Sequence, residues 1–273
     1  MKKGTLLIGI ALLATAFGVY TLLQINNDHT SEAVALSSST ETMAEAKVDD
    51  KAVPATITFE KGDFFYDIGS RFNSITKEQL FAARSFSDFI GDEHDQRIIS
   101  YSALNVIILE DSEKTNLRVD GRGGDFTQSQ LDFIKTLEYS TNLLVWAEYT
   151  EDSPWSGKIE ESHWTPYLTI VPEQQATYSE GKNALLAYLM TNSKQAINEL
   201  TSNDYKPGKM YFTITKEGRL ENVKVHSSSG YSDIDALLEK LLKDAPGSWQ
   251  PATDGEGNKV AQELVLSFGN MGC

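Results

Sequence analysis

The residues Asp92-Glu93-His94-Asp95 gather three carboxylates and an imidazole within one short run, types that can hold a divalent cation. Asp254-Gly255-Glu256-Gly257 puts two more carboxylates on a glycine turn, and Ser227-Ser228-Ser229-Gly230 sets hydroxyls beside a glycine. Asp120-Gly121-Arg122-Gly123-Gly124-Asp125 has the glycine density of a phosphate cradle. None of these completes its chemistry. The first lacks spaced ligands and reads as a solvated loop, while the second lacks the length and ligand order of a calcium loop and reads as a hairpin tip. The serine run has no nucleophile-elbow pattern, and the glycine-rich run is too short and wrongly ordered for a phosphate loop. The histidines His29, His94, His163 and His226 are scattered, with no metal-spaced pair among them. Cys273 is the only cysteine, so no intramolecular disulfide can form. No catalytic, cofactor-binding or metal site is therefore expected, and a non-enzymatic protein is. An enzyme would need a concave cluster of buried acids somewhere in residues 56–180.

The composition narrows the partners. A formal net charge of −15 over 273 residues argues against nucleic acid, whose phosphates need lysine and arginine in excess. The acidity is uneven. Residues 56–180 carry 10 basic and 22 acidic side chains, whereas residues 181–273 carry 10 and 11. Hydrophobic content of 40% is enough to build real cores.

The elements that must position any site begin with an apolar run. Met1-Lys2-Lys3 forms a cytoplasmic start, and residues 4–25 are long enough, at about 1.5 Å per residue, to cross a bilayer core as a helix. Ala14-Thr15-Ala16 offers the rival reading of a cleaved signal peptide, but apolar residues continue past it. An uncleaved single-pass anchor in an inner membrane, with the bulk of the chain in the periplasm, is the expectation. Residues 26–55 contain no aromatic residue and many Ser, Thr, Ala and Glu, the composition of a flexible tether.

From Thr56 to about residue 180 the pattern is mostly β. The runs RIISYSALNVIIL, LLVWAEYT and YLTIVPE are rich in β-branched and aromatic residues. Two short helices interrupt them, each opened by a capping-box pair, Thr76 with Gln79 and Thr127 with Gln130. A β-sandwich-like domain of immunoglobulin type is expected here.

Residues 181–273 read as a separate α+β domain. A helix over 181–200 presents Leu185, Leu186, Leu189, Met190 and Ile197 on one face. Met210, Phe212 and Ile214 then alternate along a strand, Lys216-Glu217-Gly218 turns the chain, and Leu220 to His226 returns as a second strand. Ser232, boxed with Asp235, caps a helix whose apolar face is Ile234, Leu237, Leu238, Leu241 and Leu242. Trp249 covers the core edge, and a last strand follows the DGEG turn. An all-antiparallel three-stranded sheet places the Met210 strand in the middle, leaving the last strand as an edge guarded only by Glu263. Val260, Ala261, Gln262, Glu263, Leu264, Val265, Leu266, Ser267 and Phe268 are thus the candidate partner-binding edge strand.

The order strand-turn-strand in MYFTITKEGRLENVKVHSSSG, an amphipathic helix after Asp233, WQPA and a closing strand resembles the C-terminal domain of TonB-type energy transducers. The resemblance covers about the last third of the chain. It implies an anchor associated with an ExbB–ExbD-like proton motor, and a distal domain that captures an extended segment of an outer-membrane TonB-dependent transporter by strand addition. Two features depart from that family: Lys194-Gln195-Ala196 stands where a Tyr-Pro is usual, and the tether has Pro54 as its single proline. The middle region faintly resembles the β-domain of GldM-type motor proteins. The other function considered is a periplasmic structural or adaptor protein that uses the TonB-like domain to bind peptides or peptidoglycan.

Overall fold

The structure is a computed structural model that describes residues 63–200 and 204–270. Two sheets carry it. The middle sheet has six strands: β2 (Asn73–Thr76), β3 (Ile98–Glu110), β4 (Glu113–Gly121), β5 (Asn142–Asp152), β6 (Ile159–Trp164) and β7 (Tyr167–Val171). They lie in the order β2-β7-β5-β3-β4, with β6 also on β5. Only β2 and β7 run parallel. β5 alternates Leu143, Val145, Ala147 and Tyr149 toward α1 (Lys77–Ala82) and α3 (Gln128–Lys135), where Leu80, Phe86 and Ile134 meet them in one core. The one-turn helix α2 (Asp92–Asp95) borders the same side. The opposite face carries only a small cluster of Ile107, Leu109 and Leu144 with Phe72 and Trp146. The expected immunoglobulin-type sandwich is corrected by this arrangement: helices, not a second sheet, close the face that carries the main core.

The capping boxes form as the residues foretold. Thr76 accepts from the Gln79 amide and Gln79 answers the Thr76 amide, and Thr127 and Gln130 repeat the exchange. Gln130 does more. Fully buried, its amide nitrogen donates to the carbonyls of Leu104 at 2.6 Å and Val119 at 3.3 Å, pinning α3 to the β3–β4 pair.

The terminal sheet has four strands, not the three expected, in the order β1 (Phe65–Gly69), β14 (Gln262–Gly269), β9 (Pro207–Ile214), β10 (Leu220–Ser227). All its pairs are antiparallel. Helices α4 (Lys182–Asn198) and α5 (Ser232–Lys243) cover one face through Leu185, Leu189, Ile234, Leu238 and Leu242. Two-residue strands complete the edges: β8 (Thr177–Tyr178) pairs with β11 (Trp249–Gln250), and β12 (Ala252–Thr253) pairs with β13 (Lys259–Val260). Trp249 packs its ring against Tyr178 and Phe212, at centroid distances of 5.5 and 5.7 Å. The α5 cap differs from expectation. Asp235 is buried and accepts from the amide and hydroxyl of Ser229, at 3.1 and 2.6 Å, instead of boxing with Ser232. Gly208 lies opposite Phe268, whose ring would stand 2.4 Å from any Cβ added there, so the position takes no side chain without displacing that ring.

The expected boundary at residues 180–181 does not divide the sheets, because β1 comes from the front of the β-rich region and joins the terminal sheet. Gln262 knits the two further, accepting from the Ala176 amide at 2.7 Å. Among the described residues no helix is long and apolar enough to cross a membrane. The single-pass inner-membrane reading thus finds no support among the described residues. The span expected at residues 4–25, the motor contact assigned to it and the tether at 26–55 lie outside the described residues.

The two capping boxes should differ sharply in worth. Gln130→Ala removes the bond to the buried Leu104 carbonyl and the longer one to the part-buried Val119 carbonyl and should cost about 1–3 kcal/mol, whereas Gln79→Ala at its exposed box should cost about 0.5–1 kcal/mol, both read by urea unfolding.

Candidate functional site

β14 is not an edge. Its full length pairs with β9, from Gln262 opposite Ile214 to Gly269 opposite Pro207. On its other side, Phe65 to Gly69 pair with Gly269 back to Val265. Beyond β1, the Glu263 amide donates to the Ser140 hydroxyl at 2.9 Å. The nine residues expected to form one free strand therefore divide. Val260 belongs to the β12–β13 hairpin, and Ala261 is exposed in the break between the strands. Gln262, Leu264, Leu266 and Phe268 are buried on the helix side, while Glu263, Val265 and Ser267 face the other way. The strand carries Leu264, Leu266 and Phe268 on one face and a buried Val265 on the other, too much apolar surface to sit at an edge. A signal for its partner was present in the sequence. Phe64, Tyr66 and Ile68 alternate, and all three are buried in the terminal core.

Tyr66 fixes β1 by more than its ring. Its hydroxyl sits 2.6 Å from the Ser193 hydroxyl, which donates onward to the Leu189 carbonyl at 2.7 Å. Burial pushes the phenol up to about 12, against the opposing pull of the Ser193 bond. Phe64 packs against Tyr66 and Tyr205, at 5.1 and 5.0 Å between ring centroids.

The face of the terminal sheet away from its helices meets the β3–β4 turn and leaves a cavity of about 450 Å3 between the two sheets. Tyr211, Lys224, His226 and Glu263 line it from one side, Asp111 and Asn142 from the other. The Tyr211 ring meets the His226 imidazole edge-on at 5.0 Å, and His226 Nδ1 lies 3.3 Å from Asp111 Oδ1. Burial raises the Glu263 carboxyl and the Tyr211 phenol above their ordinary ranges. Burial, with the Arg71 charge adding to it, lowers the Lys209 ammonium on the same face. Arg71 donates to the Ser112 hydroxyl and lies over the Phe72 ring at 4.7 Å. The arrangement offers polar groups of both signs for holding a ligand's hydrogen-bonding edges.

The motifs singled out by residue type have structural uses. His94 of the DEHD run forms a 2.7 Å hydrogen bond with the Tyr149 hydroxyl and stacks edge-on against Trp164. Ser229 of the serine run holds Asp235. Asp254 accepts from the amides of Glu256 and Asn258 at 3.0 and 2.8 Å, and its bond from the Asn258 side chain leads the interactions that lower its carboxyl. It closes a hairpin tip. Among the described residues, no three His, Cys, Asp or Glu side chains come together to hold a metal ion.

The Glu263 carboxyl yields a pH prediction. A carboxyl raised in the fold above its unfolded value favours folding while protonated, and that contribution is lost as pH rises through the folded value. Glu263→Gln should therefore melt at a higher temperature than the parent at pH 7, with the gap closing as pH falls toward about 4. A gap that widens on acidification would contradict the assigned direction.

No protein-family model, curated protein or solved structure matches this chain.

Proposed function

We propose that the terminal sheet is the strand-capturing module of a non-catalytic energy transducer, and that residues 64–69 fill in cis the place that a partner's extended segment takes. The observation that carries this reading is the β1–β14 ladder. It is strand addition already made within one chain, by a segment almost two hundred residues away that follows directly on the N-terminal portion. Only five residues make it, against eight on the β9 side.

Physical chemistry sets the terms of exchange. Burying Phe64, Tyr66 and Ile68 is worth about 1.5–3 kcal/mol each, so a competitor must bring comparable alternating apolar side chains. A cis strand also competes at an effective concentration on the order of millimolar. Tension delivered through the N-terminal portion reaches β1 before any other described strand, and it lowers the cost of exchange. The partner is an extended segment with apolar residues two apart, the class that the resemblance to transducers assigns to an outer-membrane transporter.

A second reading has its own observation. The buried Tyr66–Ser193 bond suits a β1 that never leaves, which makes the terminal sheet a fixed clamp in an adaptor protein.

Full-length Ile68→Asp separates the two. With β1 loosened, a labelled peptide of residues 63–70 should bind the variant at least tenfold more tightly than the parent by fluorescence anisotropy. A folded variant, judged by circular dichroism, that ignores the peptide would sink the capture reading and leave the clamp.

A further inference from the structure

β6 and β7 are one strand in register. Both pair with β5 through the same offset, from Ile159 opposite Asp152 to Thr169 opposite Asn142, with the buried Pro166 between them. β2 covers the outer side of this strand from Leu168 to Val171. From Ile159 to Trp164 no described strand covers it.

The direction of the backbone there follows from one bond. The Val145 amide donates to the Pro166 carbonyl at 3.1 Å, so residue 166 turns inward to β5. By the alternation of an antiparallel ladder, Trp164, Ser162 and Glu160 also turn inward, while Ile159, Glu161 and His163 point their N–H and C=O groups outward. The side chains alternate on a different axis. Glu161 and His163 are exposed on the open face of the sheet, where His163 stacks on Trp146 at 5.5 Å. Trp164 stands on the helix side beside His94. Around this edge lie large apolar side chains with no cover: Trp155 is 95% exposed, Ile159 68% and Trp164 51%.

We infer that β6 pairs antiparallel with β6 of a second copy of this chain, about a two-fold axis through Ser162. A symmetric antiparallel pair must match residues that point to the same face, which leaves few registers. Centring on Glu161 sets that carboxylate against itself. Centring on His163 sets two imidazoles together and leaves Glu161 opposite Thr165 of the partner subunit. Centring on Ser162 instead places Glu161 opposite His163 of the partner subunit, twice, at the positions whose backbone groups point outward and exchange hydrogen bonds. It also sets Trp164 against the aliphatic stem of Glu160 of the partner subunit. The same register brings the partner's 153–158 turn, which bears Trp155, level with the half-exposed Tyr167. Two acid–imidazole pairs and the covered apolar side chains offset the repulsion between two acidic chains. This contact lies on the middle sheet and does not rest on strand exchange at β1.

Two full-length cysteine variants test it, both in a Cys273→Ser background so that no other thiol is present. In this register the two Ser162 residues face each other at a non-hydrogen-bonded pair, where Cα atoms approach to about 4.5 Å, within disulfide reach. Ser162→Cys should therefore give a covalent dimer on mild oxidation. Glu160→Cys, whose copies stand about 13 Å apart, should not. By sedimentation, His163→Glu should weaken the dimer about tenfold by setting carboxylate against carboxylate, and adding Glu161→His should restore it. A parent chain that stays monomeric on the order of 100 μM overturns the inference. So does a Ser162→Cys variant that cross-links no faster than the Glu160→Cys variant, or a double variant that fails to recover.

Discussion

The terminal sheet depends on β14 having a strand on each side. Leu264, Leu266 and Phe268 press against α4 and α5, and Val265 is buried on the opposite face. A strand covered on both faces is cut off from water along its backbone, so each N–H and C=O must find a partner within the protein. β9 satisfies one side over eight residues, and β1 satisfies most of the other. Where β1 ends, the Ser140 hydroxyl accepts from the Glu263 amide. Closure of this edge also fixes the path of the chain. After Gly69 only Ser70, Arg71 and Phe72 precede β2, so the strand that completes one sheet delivers the chain directly to the other. Gln262 makes a matching tie at the far end through Ala176.

The middle sheet solves the same problem unevenly. Its helix face is sealed by capped helices and by Gln130, which answers two strand carbonyls with one side chain. Its other face is left to a few apolar residues and to polar ladders, with Lys114 lying 3.6 Å over the Trp146 ring and His163 stacked on that ring. Along the outer strand, coverage by β2 stops near Leu168. Short length and glutamates are the ordinary protections of an exposed edge, and β6 has both. Fully exposed tryptophan beside such an edge works against that protection.

What could be read from the sequence was local. The capping boxes at Thr76 and Thr127, the alternation through Met210, Phe212 and Ile214, and the α5 stripe through Ile234, Leu238 and Leu242 are each set by neighbours within a few residues. Two kinds of feature escaped. A pairing across nearly two hundred residues leaves no mark at either end except apolar alternation, and Phe64, Tyr66 and Ile68 carry it for only five or six positions. The architecture of the middle region escaped because β-branched, aromatic strands look alike whether a second sheet or two short helices cover them. At α5 the sequence offered Ser232 as the cap, but Asp235 is turned inward to Ser229, and burial decides between two serines that spacing cannot rank.

The cavity between the sheets follows from the same closure. Once β1 fixes where β2 begins, the β3–β4 turn at Asp111 lies over the polar face of β9, β10 and β14. Tyr211 and Glu263 there, and Lys209 on the same face, lose water, and burial is the leading cause of the shift in all three. A face evolved only for packing would place apolar groups in that position, as the helix side of the same strands does with Met210, Phe212 and Leu264. Polar groups held half-dry at the junction of two sheets lower the stability of the junction. The desolvation of Glu263 and the shortness of the β1 ladder thus act in one direction, each lessening what holds the terminal sheet at this junction.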